Sequence, residues 1–240
     1  MNMKRTPLYE RHVALGAKMV EFGGWEMPLQ YSTGIVEEHL LTRRAAGLFD
    51  VSHMGRFAVS GKGGLAFLQA ALSNNAAALE PGRAQYTMIP NEGGGAIDDA
   101  YLYCTGTHEY LIVVNASNRD KDWRHLRAML RDYPGVDLVD RTEELSMLSL
   151  QGPRSRALLL EQLRDPELID ACRHLVCAAH LKGVDLVLAR TGYAGEALGF
   201  EMFPPAAAAP GLWDWLVARG ASPIGLGAQN MHWELSGAFT

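Results

Sequence analysis

Two adjacent carboxylates follow a run of glycines near the middle of the chain. The glycines are Gly93 to Gly95, and Asp98 and Asp99 open the apolar segment that comes after them. Glycine permits backbone angles and close approaches that other residues forbid. The pair could therefore serve in catalysis, or it could form a solvated acidic turn. A phosphate site is disfavoured, because the GxxxxGK[ST] pattern is absent and two carboxylates would repel phosphate.

Strand geometry limits how the two carboxylates can be used. Neighbouring side chains in a strand point to opposite faces of the sheet. At most one of Asp98 and Asp99 can then face a given pocket, while the other faces solvent or a partner. We expect only one of them to be catalytic.

Three other segments combine polar groups with turn residues: 49–54, 113–118 and 190–196, with Glu201 beyond the last. Each is a weak signal alone, since a residue such as His53 is more often a hydrogen-bonded structural histidine than a base. Asn115 could equally cap the turn that follows its strand. A Ser-His-Asp triad using Ser52 and His53 is disfavoured, because neighbours in sequence rarely adopt that geometry.

A second candidate site contains Cys172, His174, Cys177 and His180, residue types that suit zinc or iron. If 174–180 is a strand, the two histidines share one face and Cys177 points to the other. We therefore expect a core strand and no metal site. With Cys104 the chain has three cysteines, too few for a disulfide scaffold, and we expect them to be reduced.

The elements that must position these residues mix helices and strands irregularly. Apolar spacing, charge order and turn residues predict helices at 34–46, 64–72, after Asn118, at 154–163 with Pro153 at the first helical position, and at 210–219. Strands are predicted at 56–60, 97–104, 109–114, 146–150 and 184–190. The short link between 97–104 and 109–114 predicts an antiparallel hairpin. We therefore predict an α+β fold with antiparallel sheets and packed helices.

Composition excludes several classes of protein. The chain has 240 residues, 48% of them hydrophobic, which is enough for a globular core. A formal net charge of -5 gives no reason to expect nucleic-acid or anionic-lipid binding. Neither a membrane-spanning apolar run nor a secretion signal is evident, so we expect a cytoplasmic protein.

Taken in order, several segments resemble the T-protein family of the glycine cleavage system, the folate-dependent aminomethyltransferases. The resemblance rests on Thr6-Pro-Leu-Tyr9, Phe22-Gly-Gly-Trp-Glu-Met-Pro28, Gly47-Leu-Phe-Asp-Val-Ser-His-Met54, Gly94-Gly-Ala-Ile-Asp-Asp99, Val113-Val-Asn-Ala116, Gln151-Gly-Pro153, Arg190-Thr-Gly-Tyr193 and Gly225-Leu-Gly-Ala228. These segments span nearly the whole chain, so their combination is far more specific than any one of them.

The resemblance implies an activity and the residues that perform it. Such enzymes take the aminomethyl group from the lipoyl arm of the H-protein, release ammonia and pass the one-carbon unit to tetrahydrofolate, giving 5,10-methylenetetrahydrofolate. By similarity Asp99 is the catalytic carboxylate, which would stabilise positive charge on the reacting methylene and orient the attacking nitrogen. Glu201 would accept hydrogen bonds from the pterin, Asn115 would contact the folate, and Tyr86 and Tyr193 would line the site.

The resemblance also implies three domains around a folate cavity, with His53 ordering a loop beside it. We expect residues 1–54 and 142–240 to form a discontinuous first domain and residues 55–141 an inserted second one. The family's C-terminal β-barrel domain would be absent, and the abrupt change over the last dozen residues resembles a frameshift or an early stop.

Two departures from the family pattern affect the expected site. Gln229 stands where the family has arginine, and one extra residue precedes Glu201, which would turn that side chain to the other face if it lay within a strand. Three hypotheses follow: an aminomethyltransferase, a non-catalytic folate-binding relative, and an inactive truncated remnant.

Overall fold

The computed structural model describes residues 3–164, 169, 174–192 and 196–235. Helices and strands alternate irregularly through them, and the α+β prediction is confirmed. The strands are β1 (Lys4–Arg5), β2 (Lys18–Phe22), β3 (Trp25–Gln30), β4 (Gly47–Asp50), β5 (Gly55–Ser60), β6 (Arg83–Pro90), β7 (Ala96–Gly106), β8 (Glu109–Val114), β9 (Asp137–Asp140), β10 (Leu148–Gln151), β11 (Val176–Leu181), β12 (Val184–Ala189), β13 (Gly199–Phe203) and β14 (Ser222–Ile224). The helices are α1 (Tyr9–Ala14), α2 (Ile35–Arg44), α3 (Gly64–Ala71), α4 (Arg119–Met129), α5 (Ser155–Leu160), α6 (Ala209–Ala218) and α7 (Leu226–Leu235).

The predicted elements occur close to their expected positions. The hairpin is confirmed, since β7 and β8 pair antiparallel with Tyr101 opposite Val113. One detail is wrong: α5 begins at Ser155, so Pro153 lies in the turn before the helix and not at its first position. No helix in the described ranges is long and apolar enough to cross a membrane.

The chain divides into two compact units. The first unit comprises residues 1–53, 145–173 and 178–240, and the inserted unit comprises residues 54–144 and 174–177. Because the first unit is discontinuous, residues far apart in sequence must meet within it for it to fold.

The inserted unit is built on an antiparallel sheet with strand order β6-β7-β8-β5-β9. One face of this sheet packs against α3 and α4, where Phe57, Phe67, Ile112 and Leu126 are fully buried. Alternate residues of β7 contribute to this core, so the residues between them lie on the opposite face of the sheet.

The first unit contains a six-stranded sheet of order β11-β12-β13-β10-β4-β14 and a three-stranded sheet of order β1-β3-β2. In the larger sheet β10 pairs antiparallel with both β4 and β13, whereas β14 runs parallel to β4. Apolar residues of β4, β10 and β13 are almost completely buried, which identifies these strands as the centre of the unit.

A buried polar network joins distant parts of the first unit. His12 Nε2 lies 2.9 Å from Asp50 Oδ2, and Tyr31 Oη lies 2.9 Å from His12 Nδ1. Asp50 also accepts hydrogen bonds from Thr6 Oγ1 at 2.6 Å and from the Ser52 backbone N–H at 2.9 Å. A buried carboxylate is stable only when donors replace its lost hydration. These contacts meet that requirement.

Gly152, which follows β10, is required by both its conformation and its surroundings. Its φ is +116°, and a Cβ atom there would overlap the carbonyl oxygens of Thr42 and Ala45. We expect Gly152→Ala to lower the free energy of unfolding by at least ~2 kcal/mol. Gly183→Ala is the control, since Gly183 also has positive φ but open space around it, and strain alone costs about 1 kcal/mol. Equal losses in urea denaturation would contradict this account.

Candidate functional site

The glycine run forms a tight turn that leads into β7. The side-chain oxygen of Asn91 accepts hydrogen bonds from the N–H groups of Gly93 and Gly95, both at 2.9 Å. Gly94 has a φ of +81°, which an L side chain adopts only with strain. The turn therefore fixes where β7 begins, and so which face of the sheet each carboxylate occupies.

Asp98 and Asp99 point to opposite faces of the sheet of the inserted unit, as strand alternation predicts. Asp98 is paired with Ile89, lies on the core face and is buried. Asp99 is paired with Met88 and lies half-buried on the other face. Solvent or a ligand can therefore reach the side chain of Asp99, whereas the side chain of Asp98 is buried.

Asn115, directly after β8, holds both carboxylates. Its Nδ2 lies 2.7 Å from Asp99 Oδ1 and 3.0 Å from Asp98 Oδ1. Carboxylate oxygens only accept hydrogen bonds when ionised, so the atom facing them must be the amide nitrogen with its two protons. Both protons are thus used, and any contact of Asn115 with a ligand must be made through its oxygen.

Asp98 has further donors on the core side. The backbone N–H of Asn115 lies 3.2 Å from Asp98 Oδ2, and Asn118 Nδ2 lies 2.7 Å from Asp98 Oδ1. Asp122 of α4 follows Asn118 by one helical turn, its backbone N–H donating to the Asn118 carbonyl at 2.9 Å, and its side chain is fully buried. Burial and the negative charge of Asp98 raise the pKa of Asp122 to about 8.

Aromatic side chains share the face of the sheet with Asp99. Tyr86 of β6 is 45% exposed, and its ring centroid lies 6.5 Å from that of Tyr101. Burial, together with a hydrogen bond to Asp99 and that residue's negative charge, raises the pKa of Tyr86 to about 12. Tyr86 therefore stays a neutral donor at physiological pH. Tyr101 Oη lies 2.5 Å from His174 Nδ1, and the two rings are stacked.

Glu201 belongs to the first unit, where it lies in β13 opposite Ser149 of β10 and Ala189 of β12. Its side chain is buried, and Thr191 Oγ1 donates a hydrogen bond to its Oε2. Strand β13 begins only at Gly199 and residues 196–198 are irregular, so the described part of the segment before Glu201 leaves the strand register intact.

Two of the sequence motifs meet beside Glu201. Gln151 Nε2 donates to Ser149 Oγ at 2.9 Å and to the Thr191 carbonyl at 3.3 Å. The bond to Thr191 joins the Gln151-Gly-Pro segment to the Arg190-Thr-Gly segment, although Gln151 and Thr191 are 40 residues apart in sequence. Gln151 and Thr191 therefore support the position of Glu201.

The remaining predicted residues have separate surroundings. His53, in the first unit, is buried with its ring edge-on to Phe22 at 5.5 Å between centroids. Tyr193 and Cys172 lie outside the described residues.

Within the described residues, no group of three or more His, Cys, Asp and Glu side chains could hold a metal ion. The expected strand is present as β11, but it begins at Val176; His174, at a φ of 65°, precedes it, so strand alternation does not place the two histidines on one face.

The sequence analysis assigned no role in the site to Asn118 or Asp122, the two residues of the α4 region that lie beside Asp98. A signal for Asp122 existed: it lies four residues before Leu126 and seven before Met129, so it shares the buried face of α4. A carboxylate in such a position needs a partner.

Comparison with known proteins gives consistent matches along almost the whole chain. The family model described as the GCVT N-terminal domain matches residues 8–234. An aminomethyltransferase of Thermus thermophilus is 53% identical over 228 residues, covering 95% of this chain and 64% of that protein. One of Deinococcus deserti is 48% identical, with 95% and 63% covered. The chain thus spans less than two thirds of the length of these relatives.

Solved structures match as well. The glycine cleavage system aminomethyltransferase T from Bartonella henselae superposes with a TM-score of 0.87 at 32% identity, covering 97% of this chain and 62% of that one. A heterotetrameric sarcosine oxidase from Corynebacterium gives a TM-score of 0.60 at 18% identity over 99% of this chain. The second match shows a shared fold alone.

Proposed function

Because this chain belongs to the GCVT N-terminal domain family, we propose that it acts as an aminomethyltransferase of the glycine cleavage system. Its substrates are then the aminomethyl group on the lipoyl arm of the H-protein and tetrahydrofolate, with release of ammonia. The observation that carries the proposal is the position of Asp99, the accessible member of the acidic pair, held by Asn115 and Tyr86 on the face of the sheet opposite α3 and α4.

The residues present fit tetrahydrofolate in chemical character. Tyr86 offers a half-exposed aromatic face beside Asp99, which suits a flat ring system. Glu201 offers a buried carboxylate, which suits the amino group and ring N–H of a pterin. Tetrahydrofolate supplies the nucleophilic nitrogen that accepts the one-carbon unit.

Asp99 performs the electrostatic part of the reaction in this proposal. Its carboxylate stabilises the positive charge that develops on the transferred methylene as its bonds to the amino nitrogen and the lipoyl sulfur break, releasing ammonia and the lipoyl thiol, and bonds to two folate nitrogens form. Asn115 fixes the direction of that carboxylate through one hydrogen bond, and Tyr86 adds a second. A group positioned in advance spends no free energy on reorganisation during the reaction.

Glu201 and Tyr193 serve binding in this proposal. Glu201 keeps one oxygen on Thr191 and uses its charge to orient the pterin, whereas Tyr193 lines the site as the family resemblance implies. Replacing Glu201 with glutamine removes charge-assisted hydrogen bonds, which are worth about 1.5 to 3 kcal/mol, or ten- to a hundred-fold in affinity.

A thermal-shift titration with tetrahydrofolate tests the binding part of the proposal. At a hundredfold excess over Kd a ligand stabilises the folded state by about 2.7 kcal/mol, which corresponds to roughly 5 to 10 °C for a chain of this size. We expect a saturable rise in Tm for the unmodified chain and for Asp120→Asn, an exposed control in α4. Glu201→Gln should require at least about tenfold more ligand. No rise at millimolar tetrahydrofolate would refute the proposal.

A further inference from the structure

A carboxyl group of α4 lies behind the acidic pair, in a place where an ionised carboxylate would be costly. The side chain of Asp122 is fully buried, and neither of its oxygens accepts a hydrogen bond from a donor in the described chain. The carboxylate of Asp98 is placed beside it by Asn118, which lies one helical turn before Asp122 and whose Nδ2 lies 2.7 Å from Asp98 Oδ1, and burial together with Asp98 raises the pKa of Asp122. Two carboxyl groups can hydrogen-bond to each other only when one of them carries a proton.

The donors around Asp98 identify which of the two carries it. Asp98 accepts hydrogen bonds from Asn118 Nδ2, from Asn115 Nδ2 and from the Asn115 backbone N–H. Such donors favour the ionised form of an acid. Asp122 has none of them, so the proton belongs to Asp122 and Asp98 is the acceptor.

The contacts continue from this pair to the face of the sheet opposite α3 and α4. Asn115 Nδ2 uses one proton on Asp98 and the other on Asp99, at 3.0 and 2.7 Å. The direction of the Asn115 amide therefore depends on Asp98, and the direction of the Asp99 carboxylate depends on Asn115. A disturbance behind Asp98 would reach Asp99 through only two hydrogen bonds.

We propose that Asp122 is a positioning residue, which donates its proton to Asp98 and, through Asp98 and Asn115, holds the Asp99 carboxylate in place. Its effect on catalysis rests on the proposed aminomethyl transfer, whereas the shared proton does not. Above pH 8 Asp122 ionises, so two negatively charged carboxylates, Asp122 and Asp98, face each other. Their repulsion displaces Asp98 and Asn115, and the Asp99 carboxylate is then less well positioned.

The charges around Asp122 agree with this titration. Asp98 and Asp99 of β7 both raise the pKa of Asp122, and the neighbouring Lys121 on α4 lowers it less than burial and Asp98 raise it. Helix α3, which packs against α4, carries no titratable side chain. The pKa of about 8 is thus set by burial and the acidic pair.

Nuclear magnetic resonance of the full chain tests the chain of contacts without any ligand. We expect the side-chain amide protons of Asn115 to shift with an apparent pKa near 8 in the unmodified protein. Asp122→Asn retains a donor to Asp98 but cannot titrate, so this shift should disappear while the signals at pH 7 stay nearly unchanged. Asp122→Leu removes the donor, so the signals should move at every pH. A pH-independent Asn115 between pH 6 and 9 in the unmodified protein would overturn the proposal.

Steady-state kinetics test the effect on Asp99. For ammonia release from aminomethyl-loaded H-protein, Asp122→Leu should lower kcat at least tenfold with KM for tetrahydrofolate changed less than threefold. Asp122→Asn should stay within about threefold of the unmodified protein at pH 7 and retain its activity above pH 8, where the unmodified protein loses it. Unchanged kcat in a folded Asp122→Leu would overturn the positioning role.

The two measurements separate the failure of this inference from the failure of the proposed function. An inactive unmodified chain whose Asn115 signals titrate near pH 8 would refute the transferase activity and support the shared proton. If Asp122→Leu does not fold, the Asp122→Asn variant decides the question alone. The inference would be refuted if the Asn115 signals of this variant still titrated near pH 8. It would also be refuted if this variant lost its activity above pH 8, as the unmodified protein does.

Discussion

Asp99→Asn is expected to lower the rate of tetrahydrofolate-dependent ammonia release at least about 100-fold while leaving the fold intact. The carboxamide keeps the size of the side chain, and its oxygen can still accept from Asn115 Nδ2. What disappears is the negative charge beside the reacting methylene, and removing one preorganised electrostatic group typically costs a factor of about 100 to 1000. The effect should appear in kcat more than in KM, because the charge acts mainly in the transition state.

The control for Asp99 is Asp120→Asn. Asp120 lies exposed in the first turn of α4, so the same chemical change is made in the same unit without touching the acidic pair. We expect this variant to stay within twofold of the unmodified chain. If Asp99→Asn retained more than a third of the activity, Asp99 would not be the catalytic carboxylate.

The largest loss of stability is expected for Asp50→Ala. Asp50 is fully buried and accepts hydrogen bonds from His12, Thr6 and Ser52. Removing one partner of a buried, hydrogen-bonded polar network typically costs about 3 to 5 kcal/mol, because the donors that remain cannot regain water. Urea denaturation at pH 7 should show this loss.

Asp214→Ala provides the matched control for Asp50. It removes an exposed aspartate of the same unit whose partner, Arg11, lies 3.1 Å away, and exposed ion pairs contribute about 0 to 1 kcal/mol. Similar losses in the two variants would contradict the network's role.

The contribution of Asp50 should also depend on pH. Burial alone would raise the pKa of Asp50, but its hydrogen bonds with His12, Thr6 and Ser52 lower the pKa to about 2. An acid with a lowered folded-state pKa contributes stability that is present above its unfolded pKa, near 4, and is lost as the pH falls to 2. The difference between the unmodified protein and Asp50→Ala should therefore shrink by about 2 kcal/mol between pH 4 and pH 2. A constant difference would exclude this origin.

Local patterns in the sequence predict much of the inserted unit. The β7–β8 hairpin and the start of α4 after Asn118 depend on interactions between near neighbours, which the sequence displays directly. Alternation along a strand is equally local, so the opposite faces of Asp98 and Asp99 follow from it. The α+β class needs no more than the order of such elements.

Contacts between distant residues could not be predicted in this way. Glu38 fits the expected acidic start of α2, yet it is buried and accepts hydrogen bonds from the backbone of Tyr31 and of Gly225, the latter 187 residues away. Asp122 similarly fits the favourable acidic first turn of α4. Its role depends on packing against β7, which no local pattern displays. For both Glu38 and Asp122, burial determines the role of the side chain, and burial depends on these distant contacts.

The central claim is that this chain transfers a one-carbon unit to tetrahydrofolate, and its most direct test is ammonia release. The chain is incubated with aminomethyl-loaded H-protein, with and without tetrahydrofolate, and free ammonia is measured over time. We predict release at least about 100-fold faster than from the H-protein alone, and only when tetrahydrofolate is present. Release no faster than the H-protein alone, in the presence of saturating tetrahydrofolate, would contradict the claim.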